Sequence, residues 1–346
     1  MNLVTDFLST QRARFDLGPV CGEQPACVLV TPRFRASKHV IFLIMDPRKP
    51  EPVLVAKVSR LPGEGQTLLR EASNLQAAQR AHGGGLDSIP RLIAYENFRG
   101  HELLVETAVT GPAMDPATVR RRCGECVNDG LRWLTDFQLP TIAKSSADSA
   151  WFERLIEGPI DRLQAALATH PGDQLQIRLT RRIVERLNTA AVPLVFEHGD
   201  LSHPNLIIRK PGELGVVDWE LADERGLPLS DAIFFLTYIA FARAKATTGN
   251  EYVAAFDRAF FGPTAWAMPY VATYARRLEI EAADLPALFA ACWARQASRV
   301  ISRLDLPCDE QPLDERTLGW FHGNRYYLLW QHAVENLENF TCQDWR

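Results

Sequence analysis

The sequence predicts an α+β fold of two lobes. The first is small, with five strands and one helix, and the second is larger and mostly helical. Three observations carry this reading. Apolar, β-branched runs fill residues 20–110. Helical periodicity takes over beyond Gly111. No repeat or low-complexity linker separates the two patterns, so residues 1–110 and 111–346 read as lobes joined by a tight hinge. A chain of 346 residues suits two such units.

In order along the chain, ACVLVTPRF and HVIFLIM read as a hairpin, split by a short basic segment. DPRKPEP is a turn by its proline and charge content. PVLVAKVSR alternates Val55, Lys57 and Ser59 against Ala56 and Val58, as a third strand does. After the LPGEG loop, Leu68, Leu69, Ala72, Leu75 and Gln76 fall at helical spacing, and HGGG stops the helix. RLIAYEN and HELLVETAV give two more strands around the turn at Arg99–Gly100. The stretches 119–138, 152–170 and 175–190 then read as helices. A short β-like region covers 192–220, and the last hundred residues are helical again.

Composition narrows the class. Apolar residues make up 47% of the chain and charged residues 23%, which excludes disorder, collagen and coiled coil. The net charge of −4 argues against a general nucleic-acid binder. The N-terminus has no basic start followed by an apolar run of signal length. The longest apolar stretch, Ala232 to Ala242, is too short to span a bilayer and reads as a buried helix. The expected compartment is the cytoplasm, with no membrane partner. Seven scattered cysteines fit reduced thiols. Cys123 and Cys126 form one CxxC with no second ligand pair nearby, so they read as structural or incidental.

The chemistry concentrates in Val195–Asp231. His198, Asp200 and Asn205 fit H-x-D-x-x-x-x-N, and the Asn leads straight into the apolar strand LII. Thirteen residues beyond Asn205, the strand GVV ends in Asp218. A hairpin of that length returns Asp218 to the neighbourhood of Asn205. Such a set suits phosphoryl transfer, which needs charge neutralisation and a positioned hydroxyl more than covalent chemistry. Asn205 and Asp218 offer the hard oxygens magnesium takes. Asp200 is left to accept or orient the hydroxyl proton.

With these residues in place, the sequence resembles the aminoglycoside phosphotransferase and choline kinase family, relatives of the protein kinases. HGDLSHPN resembles that family's catalytic loop, VVDWE its metal-binding turn, and GLPLSDAIFFL a downstream stretch anchored by Asp231. In the first lobe, VAKVSR, LLREASNLQ and IPRLIAYENFRGHELLVETAVTG resemble the ATP-lysine strand, the next helix and the interlobe hinge. The matches run in order over about residues 20–240. The resemblance implies a protein-kinase-like fold and an ATP- or GTP-dependent transfer of phosphate, with magnesium, to a hydroxyl of a small molecule. Lys57 would meet the α- and β-phosphates and Glu71 would hold it. Asp200 would be the catalytic base and His198 would brace its loop. Asn205 and Asp218 would hold magnesium. Backbone near Glu106 to Ala108 would bond adenine, with Val105 facing the base.

One departure stands out. The stretch TPRFRASKHV has no glycine where protein kinases carry a Gly-rich loop. Ser37 often has a counterpart in the family, and Arg33, Arg35 and Lys38 either supply charge to phosphates or form a solvated basic turn. The competing function is a catalytically silent, kinase-like nucleotide-binding regulator. Such members usually lose the lysine, the catalytic Asp or a metal ligand, and this chain keeps all three. A protein kinase is disfavoured because only thirteen residues separate Asp218 from Asp231. Between Glu197 and Asp231 the net charge is −5, which favours a polar or amine-bearing acceptor over an anionic one. Glu220, Asp223 and Glu224 either contribute to that field or form solvated surface.

Overall fold

The computed structural model describes residues 2–18, 21–22, 25–30, 38–144, 150–304 and 312–340. In chain order the elements begin with α1 (Leu3–Thr10), β1 (Ala26–Val30), β2 (His39–Met45), β3 (Pro52–Ser59), α2 (Gln66–Ala81), β4 (Leu92–Phe98) and β5 (His101–Thr107). Next come α3 (Pro116–Arg121), α4 (Cys123–Gln138), β6 (Ala143–Lys144), α5 (Ala150–Phe152), α6 (Gly158–Ala166) and α7 (Pro171–Val184). Then follow β7 (Pro193–Glu197), β8 (Leu206–Lys210), β9 (Glu213–Val216) and β10 (Asp223–Gly226). The chain closes with α8 (Ser230–Ala244), α9 (Gly249–Phe260), α10 (Met268–Arg277), α11 (Leu285–Ser302), α12 (Glu315–His322) and α13 (Arg325–Glu335).

By contact the chain divides into two units. One is Met1–Met114 with Pro204–Glu224, and the other is Asp115–His203 with Arg225–Arg346. The sequence reading breaks the chain once, near residue 110. The β8–β9 hairpin nonetheless joins the first unit, through hydrogen bonds that sequence does not announce. Met114 N donates to Leu206 O at 2.7 Å, Ile208 N to Pro112 O at 2.8 Å, and Val216 N to Ser88 O at 2.7 Å.

The first unit is built on an antiparallel sheet in the order β1-β2-β3-β5-β4. Its two faces are covered differently. Ala56, Val58, Leu103 and Val105 pack with Val4, Phe7 and Leu8 of α1. Lys57 lies between Ala56 and Val58, so alternation turns it to the other face, beside its register partner Leu104. There α2 brings Leu68 and Ala72 against Leu104. Helix α1 is one more than the sequence reading gives this unit. It is too short to show a clear period, and a capping box between Asn2 and Thr5 holds its start.

The second unit is helical around α11, which packs against α6, α7, α8 and α13. Helix α8 is buried on nearly all sides, as the apolar run from Ala232 to Ala242 predicts. No helix among the described residues is long and apolar enough to cross a membrane. The helix read over 119–138 is in fact two, α3 and α4, meeting at Arg122. Cys123 and Cys126 start α4, and burial raises both thiols. Trp219, Trp293 and Trp330 are core residues.

Candidate functional site

In the first unit the site is built around a buried cation. Lys57 Nζ lies 2.5 Å from Glu71 Oε1 and 3.8 Å from Glu106 Oε1. Glu71 is brought there by α2, where it falls on the buried side with Leu68, Ala72 and Leu75. Glu106 is opposite Val55 in the β3–β5 register, two residues from Lys57, and so shares its face. All three side chains are buried. Burial disfavours the charge on Lys57, but the carboxylates of Glu71, Glu106 and Asp218 outweigh it and raise the ammonium pKa. Burial likewise pushes Glu71 up, and Lys57 opposes that shift. Glu106 is pushed up to about 8, first by burial, with Lys57 opposing and Glu71 and Asp218 reinforcing. Lys57 thus opposes the rise at both acids, and the one it contacts directly is Glu71.

The same Glu71 reaches the hairpin turn. Trp219 N donates to Glu71 Oε1 at 3.3 Å, and Asn74 Nδ2 donates to Trp219 O at 2.8 Å. The Trp219 indole donates to Val216 O at 3.0 Å. Helix α2 thus grips the residue next to Asp218 from both sides of its peptide. Asp218 itself sits at φ +72, a left-handed conformation uncommon for a non-glycine residue. Such strain persists only where the surroundings enforce it, and it gathers at functional positions. Leu206 pairs with Val216, and Val217 N donates to Asn205 O at 3.1 Å. The return of Asp218 to Asn205, expected from the thirteen-residue spacing, is therefore what the hairpin produces. Asn205 and Asp218 thus stand at the same end of the hairpin, and hard oxygen donors of their kind fit magnesium.

Other expected nucleotide contacts are distributed differently. Val105 faces the α1 core and not the Lys57 side. The Ala108 amide donates to Val53 O at 3.1 Å and the Thr107 amide to Arg91 O at 2.9 Å. The Glu106 side chain stands on the Lys57 face. Its Oε2 is buried without a hydrogen-bond partner. Ser37, Arg33 and Arg35 lie outside the described residues, and Lys38 is exposed.

In the second unit the loop after β7 carries His198 and Asp200. Asp231, at the start of α8, accepts from His198 N at 2.7 Å and from Gly199 N at 2.9 Å. Gln138 Nε2 donates to the same carboxylate at 3.2 Å, and the Tyr274 hydroxyl donates to Gln138 Oε1 at 2.5 Å. Burial, then the neighbouring Glu197, pushes Asp231 up to about 7. Gly199 has φ +83, which lets the loop turn over the Asp231 carboxylate. His198 is buried, and Asp200 N donates to its Nδ1 at 3.3 Å, so the imidazole supports the backbone of Asp200. Asp200 is only partly buried.

Two arginines absent from the sequence reading complete this loop. Arg295 Nη1 lies 3.0 Å from Glu197 Oε2, and Arg299 Nη2 lies 3.3 Å from Glu197 Oε1. Arg299 Nη1 also donates to Gly199 O at 2.6 Å. A signal was present: the two arginines are four apart on the otherwise apolar face of α11, and a buried cation needs an acid. They also change the charge reading. Glu197 is neutralised by residues outside the 197–231 segment, and Asp231 is enclosed. The −5 therefore overstates the field of that segment. Glu224 is exposed, and Glu220 and Asp223 are partly so.

A family model described as the phosphotransferase enzyme family matches residues 40–274. No curated protein matches the sequence. Among solved structures, the chain is similar to a putative fructosamine-3-kinase from Haemophilus somnus. The identity is 14%, with 95% of this chain and 96% of that one covered and a TM-score of 0.52. An aminoglycoside phosphotransferase from Streptomyces rimosus aligns at 17% identity, over 80% and 99% of the chains, with a TM-score of 0.45. A choline kinase from Streptococcus pneumoniae aligns at 14%, over 96% and 98%, at 0.47. The fold is protein-kinase-like, as the sequence predicts.

Proposed function

The chain belongs to the phosphotransferase enzyme family, and from that premise we propose that it moves the γ-phosphate of ATP or GTP to a hydroxyl of a small molecule. The observation that carries the proposal is the single line of contacts from Lys57 through Glu71 to Trp219, beside Asp218. It ties a phosphate-neutralising cation to the metal-ligating end of the hairpin. Phosphoryl transfer needs both in one arrangement.

In this reading Lys57 meets the α- and β-phosphates, held extended by Glu71. Asn205 and Asp218 hold magnesium, which offsets charge on the phosphates. Asp200 accepts or orients the acceptor hydroxyl proton. Asp231, Arg299 and His198 keep its loop in shape. These are roles of position, since none of the three is required to exchange a proton. The silent-regulator reading is weakened by the intact set of Lys57, Glu71, Asp200, Asn205 and Asp218. The test is turnover of purified protein on a panel of hydroxylated metabolites, amino alcohols, sugars and aminoglycosides, reading ADP or GDP release. Nucleotide binding without turnover on any acceptor would instead support the regulator.

A further inference from the structure

Outside this site, in the second unit, three ligand-bearing side chains converge on one point. His170 precedes α7, Asp173 lies in its first turn, and His322 ends α12. Their ligand atoms all fall within 4.8 Å of one another. His170 Nδ1 is 3.2 Å and His322 Nε2 is 2.9 Å from the same oxygen, Asp173 Oδ2. From this geometry we infer that His170, Asp173 and His322 form a binding site for a borderline divalent transition ion such as zinc.

Four features support it. The first is spacing. Ligands about 2.0–2.1 Å from a tetrahedral centre stand roughly 3.3 Å apart. The two nitrogen-to-oxygen separations are already close to that edge, so little movement is needed to admit an ion. The second is donor chemistry. Two imidazoles and one carboxylate suit zinc and its neighbours, and do not suit magnesium. The third is preorganisation. The Tyr327 hydroxyl donates to Asp173 Oδ1 at 2.5 Å, which fixes the carboxylate from behind and leaves Oδ2 toward the histidines. Outer hydrogen bonds of this sort orient metal ligands. The fourth is access. Asp173 is fully buried, whereas the His170 side chain is 49% exposed, leaving a route for the ion and a fourth position for water. The rings of His170 and His322 are 5.0 Å apart at 59°, so neither blocks the other.

Without an ion, His322 Nε2 hydrogen-bonds Asp173 Oδ2 at 2.9 Å, and His170 Nδ1 accepts from the Asp173 amide at 3.4 Å. An ion would take the lone pairs of His170 Nδ1 and His322 Nε2, each ring keeping its proton on the other nitrogen, together with Asp173 Oδ2. The site shares no residue with the one around Lys57 and Asp218, and it stands whether or not the proposed reaction is right.

The experiment uses the full chain without a histidine tag, stripped by chelator and titrated with zinc against a chromogenic competitor. One equivalent per chain is expected, undisturbed by millimolar magnesium. His322→Ala and His170→Ala are each expected to weaken binding by at least about 10-fold, with unchanged circular dichroism. Asp173 is left intact, because removing it orphans the buried Tyr327 hydroxyl. Cobalt in place of zinc is expected to give the visible bands of a four-coordinate site without a sulfur charge-transfer band. Equal zinc affinity in the wild type and both histidine variants overturns the inference. So does a sulfur band that disappears in a Cys123→Ser/Cys126→Ser protein, because the thiols would then be the ligands.

Discussion

Glu106 Oε1 stands 3.8 Å from Lys57 Nζ, while Glu71 Oε1 stands 2.5 Å from it. One ammonium therefore faces two buried acids, and only the nearer is also bonded by a backbone amide. Burial raises both acids, and Glu106, the farther from the ammonium, is pushed up to about 8.

A pH dependence follows. The folded protein holds the Glu106 proton up to about pH 8, whereas an unfolded carboxylate releases it near pH 4.3. Between those values the folded state binds more protons, so stability falls as pH rises through that window. Glu106→Gln removes the ionisation and is expected to flatten the slope. The variant should gain up to about 3–4 kcal/mol relative to wild type at pH 8 compared with pH 5. Denaturant midpoints at the two pH values measure this. Parallel curves for the two proteins would assign the slope to other groups.

Asp200→Ala is expected to lower turnover by about 10²–10⁴-fold, the usual worth of a positioned acid or base. Nucleotide affinity should change little, because the residue is assigned to the acceptor. Loss of nucleotide binding in a folded variant would move Asp200 out of that role.

Asp218→Asn removes a formal charge from the proposed metal shell. The magnesium concentration giving half-maximal nucleotide binding should rise at least several-fold. An unchanged magnesium titration would rule out Asp218 as a ligand. The left-handed φ of +72 at this position is tolerated by Asn, so backbone strain does not confound the comparison.

Asp231→Ala leaves the buried amides of His198 and Gly199 without their acceptors. Each orphaned donor costs about 1–3 kcal/mol, so a loss on the order of 2–6 kcal/mol is expected in equilibrium unfolding. Arg299→Met is expected to cost less, because Arg295 still neutralises Glu197. It should nonetheless reduce turnover by releasing Gly199 O. Wild-type turnover in that variant would limit Arg299 to charge balance.

Sequence alone determined whatever depends on local period and short spacing. Alternation over 52–60 sets Lys57 on the face opposite Ala56 and Val58, because successive strand residues point to opposite sides. Glu71, fourteen residues later, falls on the buried stripe of a helix whose bounds, Gln66–Ala81, follow from the apolar period and the glycines after it. The thirteen residues from Asn205 to Asp218 fix a hairpin that brings its ends together. The anchoring position of Asp231 was implied by the resemblance of GLPLSDAIFFL to the family's stretch.

Tertiary structure decided what depends on partners far away in the chain. Glu197 meets Arg295 and Arg299 about a hundred residues on, and no local pattern states that a helix and a strand end will share a charge. Val105 and Glu106 are neighbours in sequence, yet one joins the α1 core and the other faces Lys57. Which face α1 would cover was not written in either strand. The His170–Asp173–His322 cluster joins residues 149 apart in sequence. Charge pairing and metal geometry act through space, over a few ångströms. A linear pattern records them only when the chain happens to bring the partners together within a single turn or hairpin.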